Sequence, residues 1–142
     1  MLTMSATDHK FLLIDDDPRH ANALNVALVA TSDGSSKFQW VRTLSSGLDV
    51  RNHKGVWAVF LNLSLPDSRG VETFDRLRSI TSTAPVVVLG GLDEEGICKT
   101  AMRHGAENYL LEGHIDSFAF ARAIRSIEKC EFAQGRNPRQ RN

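Results

Sequence analysis

The predicted fold is decided by Val56–Asn62, a stretch that reads VWAVFLN. Its first six residues are apolar and do not alternate with polar ones, which is the pattern of a strand covered on both faces. Such strands are typical of parallel sheets that carry helices on each side. We therefore predict that residues 56–61 form the central strand of a parallel sheet and that this strand ends at Asn62.

Four other short apolar runs flank the central strand along the chain, and they alternate with segments of helical period. The runs are residues 10–14, 38–41, 85–89 and 108–111. The five helical segments are residues 18–30, 45–50, 71–80 and 94–104, and a last one from residue 116 or 117 onward. This alternation predicts an α/β fold with a doubly wound, five-stranded parallel sheet and five helices.

The spacing of apolar residues predicts which face of each helix is buried. The expected inward residues are Ala21, Leu24, Val26, Ala27, Leu28 and Val29 in the first helix, Val71, Phe74, Leu77 and Ile80 in the third, and Phe118, Ala121, Ile124 and Ile127 in the last. Asp17 precedes Pro18 and is the expected N-cap of the first helix. Gly105 is the expected left-handed residue that ends the fourth helix.

Length and composition indicate one domain. The chain has 142 residues, 42% of them hydrophobic, which is enough for one core. We assign the domain to residues 10–132, with an N-terminal tail at 1–9 and a C-terminal tail or linker at 133–142, both without fixed structure. Since residue 142 follows soon after the last helix, we expect no DNA-binding or catalytic output domain here, in either a stand-alone module or a fragment of a longer protein.

Charge and hydropathy exclude several classes of protein. Seventeen Lys and Arg balance seventeen Asp and Glu, so no global field attracts nucleic acid or a membrane surface. No apolar run approaches the roughly 18 residues that span a bilayer, and no signal peptide is recognisable, so we expect a soluble, cytoplasmic protein. Cys98 and Cys130 do not suggest a disulfide framework or a zinc site and are expected to be reduced, partly buried thiols.

Candidate functional residues follow the predicted strands. In doubly wound sheets the functional crevice lies outside the carboxyl ends of the strands. The residues at those ends are Asp15, Asp16 and Asp17 after strand one, Asn62 after strand three, Gly90 and Gly91 after strand four, and Glu112 after strand five. The five histidines are scattered without an i, i+4 pair, so we expect them to be structural or solvated.

Four of these segments, taken in order, resemble the receiver domain of two-component response regulators, the CheY-like family. They are Leu13-Ile14-Asp15-Asp16-Asp17-Pro18, Leu61-Asn62-Leu63-Ser64-Leu65-Pro66-Asp67-Ser68 with Gly70, Pro85-Val86-Val87-Val88-Leu89-Gly90-Gly91 and Gly105-Ala106-Glu107-Asn108-Tyr109-Leu110-Leu111-Glu112-Gly113. The resemblance covers residues 10–130. It implies the CheY-like, flavodoxin-like topology.

The resemblance also implies a phosphorylation site, which this chain matches only in part. Asp15 and Asp16 stand at the family's Mg²⁺-binding acidic pair, and the Ser64 carbonyl stands at its backbone metal ligand. Tyr109 matches an aromatic residue that such domains often use as a switch. Three active groups are replaced together, and the replacements are Asn62 at the phosphoacceptor position, Gly90 at the Ser/Thr position and Glu112 at the Lys position.

These replacements predict a domain without phosphorylation chemistry. The neutral amide of Asn62 is a far poorer nucleophile than a carboxylate, and Glu112 adds negative charge where a phosphoryl group needs a cation. The hypothesis is a degenerate pseudo-receiver that is not an enzyme, requires no cofactor and binds Mg²⁺ at most weakly through Asp15, Asp16, Asn62 and the Ser64 carbonyl. If Glu112 points into the crevice, a carboxyl pKa should rise or Glu112 should turn outward.

The family resemblance implies that the domain signals through contacts with a protein partner or a second copy. The expected surface is formed by helix four, strand five and helix five, roughly residues 94–130. Two alternatives stay open. One is a receiver phosphorylated on another residue, and the other is a phosphatase resembling the haloacid dehalogenases, in which Asp15 of the Asp15-x-Asp17 motif is the nucleophile.

Overall fold

The central strand lies where the sequence predicts it, over Val56–Asn62, and all seven of its residues are buried. The computed structural model describes residues 10–31, 37–49, 53–81 and 83–133. Its main strands are β1 (Lys10–Ile14), β2 (Lys37–Val41), β3 (Val56–Asn62), β4 (Val86–Gly90) and β5 (Asn108–Leu111). They pair in parallel in the order β2-β1-β3-β4-β5, which confirms the predicted doubly wound sheet.

Four helices connect these strands and a fifth follows β5, as predicted. They are α1 (Pro18–Thr31), α2 (Leu44–Gly47), α3 (Val71–Ile80), α4 (Glu95–Arg103) and α5 (Ser117–Ala133). Asp17 caps α1, since its Oδ1 accepts a hydrogen bond from the Arg19 amide at 2.8 Å. Gly105 follows α4 with φ of 117°. The second helix, predicted over residues 45–50, is a single turn over Leu44–Gly47, and a small antiparallel hairpin of Ser64–Leu65 with Ser68–Arg69 follows β3.

The two faces of the sheet carry separate apolar cores. Alternating residues of β1 point to opposite faces, so Phe11 and Leu13 pack with α1 and α5, whereas Leu12 and Ile14 pack with α2, α3 and α4. On the α1 and α5 side the rings of Phe60 and Phe120 stack with centroids 5.5 Å apart. Each fully buried Leu or Phe side chain contributes roughly 1.5 to 3 kcal/mol, so these cores hold the strand ends in place.

Several helical faces differ from the prediction. Val26 and Val29 of α1 are 56% and 61% exposed, and Phe118 of α5 is 70% exposed. The residues of α5 that reach the core are Phe120, Ala123, Ile124 and Ile127. Phe118 lies two residues before Phe120, about 200° around the helix, and therefore faces outward. Ile80 is the last residue of α3 and is 49% exposed.

Some expectations concern residues that the structure leaves undescribed. The predicted tails fall almost entirely there, at residues 1–9 and 134–142, and so does the side chain of Cys130. Cys98 is a buried free thiol. Within the described ranges, no helix is both long enough and apolar enough to cross a bilayer.

Candidate functional site

The carboxyl ends of the parallel strands enclose an open cleft of about 590 Å³, which we call the strand-end cleft. Residues from the ends of β1, β3, β4 and β5 meet there because parallel strands end at the same edge of the sheet. Its lining includes Asp16, Asp17, His20, Asn62, Gly91 and Glu112. Most of the residues singled out by sequence are therefore brought together, and His20 joins them.

The Asp15 carboxylate is buried beside the cleft, and both of its oxygens are engaged. Its side chain is completely buried, Oδ1 accepts a hydrogen bond from the Asp17 amide at 3.0 Å, and Oδ2 lies 2.7 Å from His20 Nδ1. This contact raises the pKa of His20, against the effect of burial. With both oxygens engaged, Asp15 is poorly placed to attack a phosphate, which weighs against the phosphatase alternative.

A salt-bridge chain crosses the cleft from α1 to the end of β5. The Arg19 guanidinium contacts Asp17 through Nε and Nη2, at 3.1 and 2.7 Å, and Nη2 also lies 3.3 Å from Glu112 Oε2. Its hydrogen bond to Asp17 holds the pKa of that carboxyl at about 2. Glu112 thus lines the cleft beside a positive charge, because the Arg19 guanidinium lies between it and Asp17.

Sequence reasoning missed both Arg19 and His20. The signal was present in the sequence Asp15-Asp16-Asp17-Pro18-Arg19-His20. A helix that begins at Pro18 places the next two side chains in its first turn, beside the strand end. His20 was expected to be structural or solvated; its side chain is mostly buried and pairs with Asp15.

Asn62, at the expected acceptor position, lies at the end of β3 and is 7% exposed. Its Oδ1 accepts a hydrogen bond from the Ser64 amide at 2.7 Å, so the amide oxygen is used within its own loop. Ser64 itself is half-buried, lines the cleft and begins the small hairpin. Asn62 is thereby fixed by its local backbone.

Gly90 belongs to β4 rather than breaking it, because its carbonyl accepts the Glu112 amide at 2.8 Å in the pairing with the β5 end. It is buried, and a Cβ built on it would lie 2.7 Å from Cys98 Sγ. The volume that a Ser or Thr side chain would need is therefore already occupied by α4. Burial raises the pKa of the Cys98 thiol to about 11, which makes it a packing group rather than a nucleophile.

Tyr109, the expected switch aromatic, lies on β5 and packs partly against the core on the α4 side. Its hydroxyl donates a hydrogen bond to Glu95 Oε2 at 2.7 Å, which raises the pKa of the phenol. The contact ties Tyr109 to the first turn of α4. A glycine at position 90 leaves no hydroxyl that could couple this ring to the cleft.

Two of the residues that the resemblance assigns to Mg²⁺, Asp15 and Asn62, are engaged in other contacts, so the expected ligand set fits the ion poorly. Magnesium requires several oxygen ligands in near-octahedral geometry. Of the expected set, Asp15 is bonded to His20 and the Asp17 amide, and Asn62 Oδ1 is bonded to Ser64. Asp16 is an exposed carboxylate at the edge of the cleft.

The family described as the response regulator receiver domain matches residues 11–113. The chain is 25% identical over 101 residues to the transcriptional regulatory protein MalR of Bacillus subtilis, covering 71% of this chain and 43% of MalR. It is 25% identical over 109 residues to the chemotaxis protein CheY of Treponema pallidum, covering 73% of this chain and 72% of CheY.

Solved structures of response regulators have the same fold. A response regulator receiver domain protein from Clostridium thermocellum superposes with a TM-score of 0.73 at 22% identity, over 88% of this chain and 98% of that one. This similarity concerns the fold. The chain spans less than half the length of MalR.

Proposed function

We propose that this chain, which belongs to the response regulator receiver domain family, acts without phosphorylation, as a regulatory protein-interaction module of two-component signalling. Receiver domains are generally signalling modules rather than enzymes. In this proposal the chain keeps the family's fold and binds its partner through its surface, and phosphorylation does not control that binding.

The observation that carries the proposal is the state of Asn62. The neutral amide stands at the end of the central strand, buried, with its oxygen accepting the Ser64 amide. A phosphoryl group is transferred to a nucleophilic oxygen, and a carboxamide oxygen held in this way is a weak nucleophile. An acyl phosphate is therefore not expected at this position.

Two further features of the cleft support the same conclusion. Glu112 places a carboxylate at the position of the family's lysine, and the cation that contacts it, Arg19, is shared with Asp17. Cys98 fills the space beside Gly90. A phosphoryl group would meet a carboxylate at position 112, where the family has a cation, and no side chain at position 90, where the family has a hydroxyl.

Intact-mass spectrometry after incubation with a small acyl phosphate and Mg²⁺ tests the proposal. A phosphorylatable receiver run in parallel shows that the reagent is active, and an Asn62→Asp variant restores the acceptor carboxylate alone. We expect no phosphoryl adduct on the unmodified chain. A stable adduct there, mapped to any residue, would overturn the proposal and support the alternative acceptor.

The inference that the chain is not an enzyme has a separate test. Turnover of a generic phosphomonoester with Mg²⁺ should stay at the level of a buffer blank. Sustained hydrolysis that disappears in an Asp15→Asn variant would instead establish the alternative hypothesis, a phosphatase with Asp15 as its nucleophile.

For the interaction surface we propose the face of α4, β5 and α5. Arg103 and Arg122 are exposed on it, and the Arg122 guanidinium lies 5.8 Å from the ring centroid of the exposed Phe118. Exposed aromatic and arginine side chains are enriched at protein interfaces.

Charge reversal tests this assignment. Arg103→Glu or Arg122→Glu should weaken self-association measured by sedimentation equilibrium, whereas Arg76→Glu, on the exposed surface of α3, should not. Equal association of all three variants and the unmodified chain would show that the assigned face is wrong.

A further inference from the structure

Three side chains of the types that bind metal ions lie close together in the strand-end cleft. Ligand atoms of Asp17, His20 and Glu112 all lie within 4.8 Å of one another. Asp17 and His20 come from the start of α1, and Glu112 comes from the end of β5. This set shares no residue with the positions that the family resemblance assigns to Mg²⁺.

His20 is arranged as a metal ligand would be. Its Nδ1 lies 2.7 Å from the buried Asp15 carboxylate, which fixes the ring. Its Nε2 is buried and has no hydrogen-bond partner. Metal-bound histidines almost always donate their other ring N–H to a carboxylate, carbonyl or water, so the Asp15 contact is the expected outer partner of such a ligand.

The spacing of the ligand atoms suits a small cation. His20 Nε2 lies 3.7 Å from Asp17 Oδ2. Around a tetrahedral zinc ion with bonds of about 2.0 to 2.1 Å, neighbouring ligand atoms are about 3.3 Å apart. We propose that Asp17, His20 and Glu112 form a binding site for a divalent transition metal of the zinc type, with water completing the coordination.

Donor chemistry distinguishes this site from a magnesium site. One imidazole nitrogen with two carboxylates suits zinc and cobalt, whereas magnesium prefers oxygen ligands alone. Two carboxylates and a neutral imidazole also balance the charge of a divalent ion. Binding at Nε2 suits the tautomer in which Nδ1 carries the proton and donates it to Asp15.

Arg19 competes for the same carboxylates. Its guanidinium lies 2.7 Å from Asp17 Oδ2 and 3.3 Å from Glu112 Oε2, in the position of a counter-cation. The side chain is 76% exposed, so it can turn into solvent without disturbing the core. Removing Arg19 should therefore strengthen metal binding, an effect opposite to that of removing a ligand.

The test titrates the tag-free full chain with CoCl₂, followed by visible absorption, and with ZnCl₂, followed by calorimetry. We expect one equivalent of metal to bind, and zinc to displace cobalt. His20→Gln and Glu112→Gln should each weaken zinc binding about tenfold or more, and Arg19→Gln should strengthen it severalfold. MgCl₂ should not compete.

A matched control is available in His104, whose Nδ1 also pairs with a carboxylate, that of Asp75, at 2.9 Å outside the cluster. His104→Gln should leave zinc binding unchanged. Glu112 is partly exposed, so its variant reports on the site even if His20→Gln fails to fold. The proposal is overturned if the unmodified chain binds no zinc, or if Glu112→Gln binds it as tightly as the unmodified chain does. Neither result depends on whether Asn62 can be phosphorylated.

Discussion

Two parts of the strand-end cleft are shaped by different physical effects. In the first, which we call the polar wall, the lining residues Asp17, His20 and Glu112 pair with Arg19 or with the buried Asp15 behind them. In the second, which we call the packed wall, Gly90 of β4, next to the lining residue Gly91, lies against the Cys98 sulfur of α4, which leaves no room for a Cβ. Charge pairing determines what the polar wall can bind, and the lack of free volume determines what the packed wall can bind.

Because of this difference, one substitution cannot make both walls able to contact a phosphate. On the polar wall, a change of one charge redistributes its partners and leaves the backbone in place. On the packed wall, a hydroxyl at position 90 requires the space of the Cys98 sulfur before it can reach any ligand. The comparison predicts which substitutions are costly and which pairs of substitutions compensate.

The largest effect is expected within the polar wall, at the buried pair of His20 and Asp15. His20→Ala leaves the fully buried Asp15 carboxylate without its partner, and breaking a buried pair typically costs about 3 kcal/mol of unfolding free energy. Urea denaturation followed by circular dichroism, in a chelating buffer, measures the loss.

His104→Ala is the matched control, because His104 and Asp75 form a chemically similar pair with side chains 40% and 49% exposed. An exposed pair contributes about 0.5 kcal/mol or less. If His20→Ala and His104→Ala lost the same unfolding free energy, burial would not make the His20 and Asp15 pair stronger than an exposed pair.

The packed wall is expected to show the next largest effect. Gly90→Ser introduces a Cβ at 2.7 Å from Cys98 Sγ, and overpacking of this kind costs about 2 kcal/mol. Adding Cys98→Ala removes the sulfur, so the double variant should be more stable than the sum of the two single losses predicts. Urea denaturation of all four proteins gives the coupling energy.

Gly96→Ser provides the control for this cycle. Gly96 lies in α4, and a Cβ there meets no atom within 4 Å, so serine should be tolerated or slightly stabilising. Additive losses for Gly90→Ser and Cys98→Ala would mean that the sulfur is not what excludes a side chain from position 90.

The sequence predicts the fold better than the site because apolar periodicity reports burial directly. The unbroken run of β3 and its neighbours sets the sheet, and the strand ends then bring Asn62 and Glu112 to one cleft. Faces of amphipathic helices are less certain: Phe118 fits an apolar spacing, yet the register of α5 buries Phe120 instead.

The pairing inside the cleft could not be read from the sequence. Arg19 and Glu112 are 93 residues apart, and their contact depends on the packing of α1 beside the end of β5. The Cys98 sulfur reaches Gly90 only because α4 lies directly over β4. Both are tertiary contacts between residues with no spacing signature, whereas the Asp15 and His20 pair is a local contact, five residues apart, across the connection from β1 to the first turn of α1.

The smallest effect is expected at the outer, solvent-facing part of the polar wall, and it depends on pH. The Arg19 contact lowers the pKa of Asp17 from 3.8 to about 2 in the folded chain. A lowered pKa stabilises the fold fully above the unfolded value, and this stabilisation is lost as pH falls from about 4 to about 2. Because the pair is exposed to solvent on the Arg19 side, the contribution of Asp17 should be about 1 kcal/mol or less.

Arg19→Gln should therefore flatten the loss of stability between pH 4 and pH 2, measured from urea midpoints across that range. Arg103→Gln removes an arginine whose guanidinium donates a hydrogen bond to the neutral Thr100 hydroxyl, and should keep the slope of the unmodified chain. If Arg19→Gln instead keeps that slope, the salt-bridge chain does not act on the folded state in solution. The polar wall would then consist of the buried His20 and Asp15 pair alone, and Glu112 would stand in the cleft as an unpaired carboxylate.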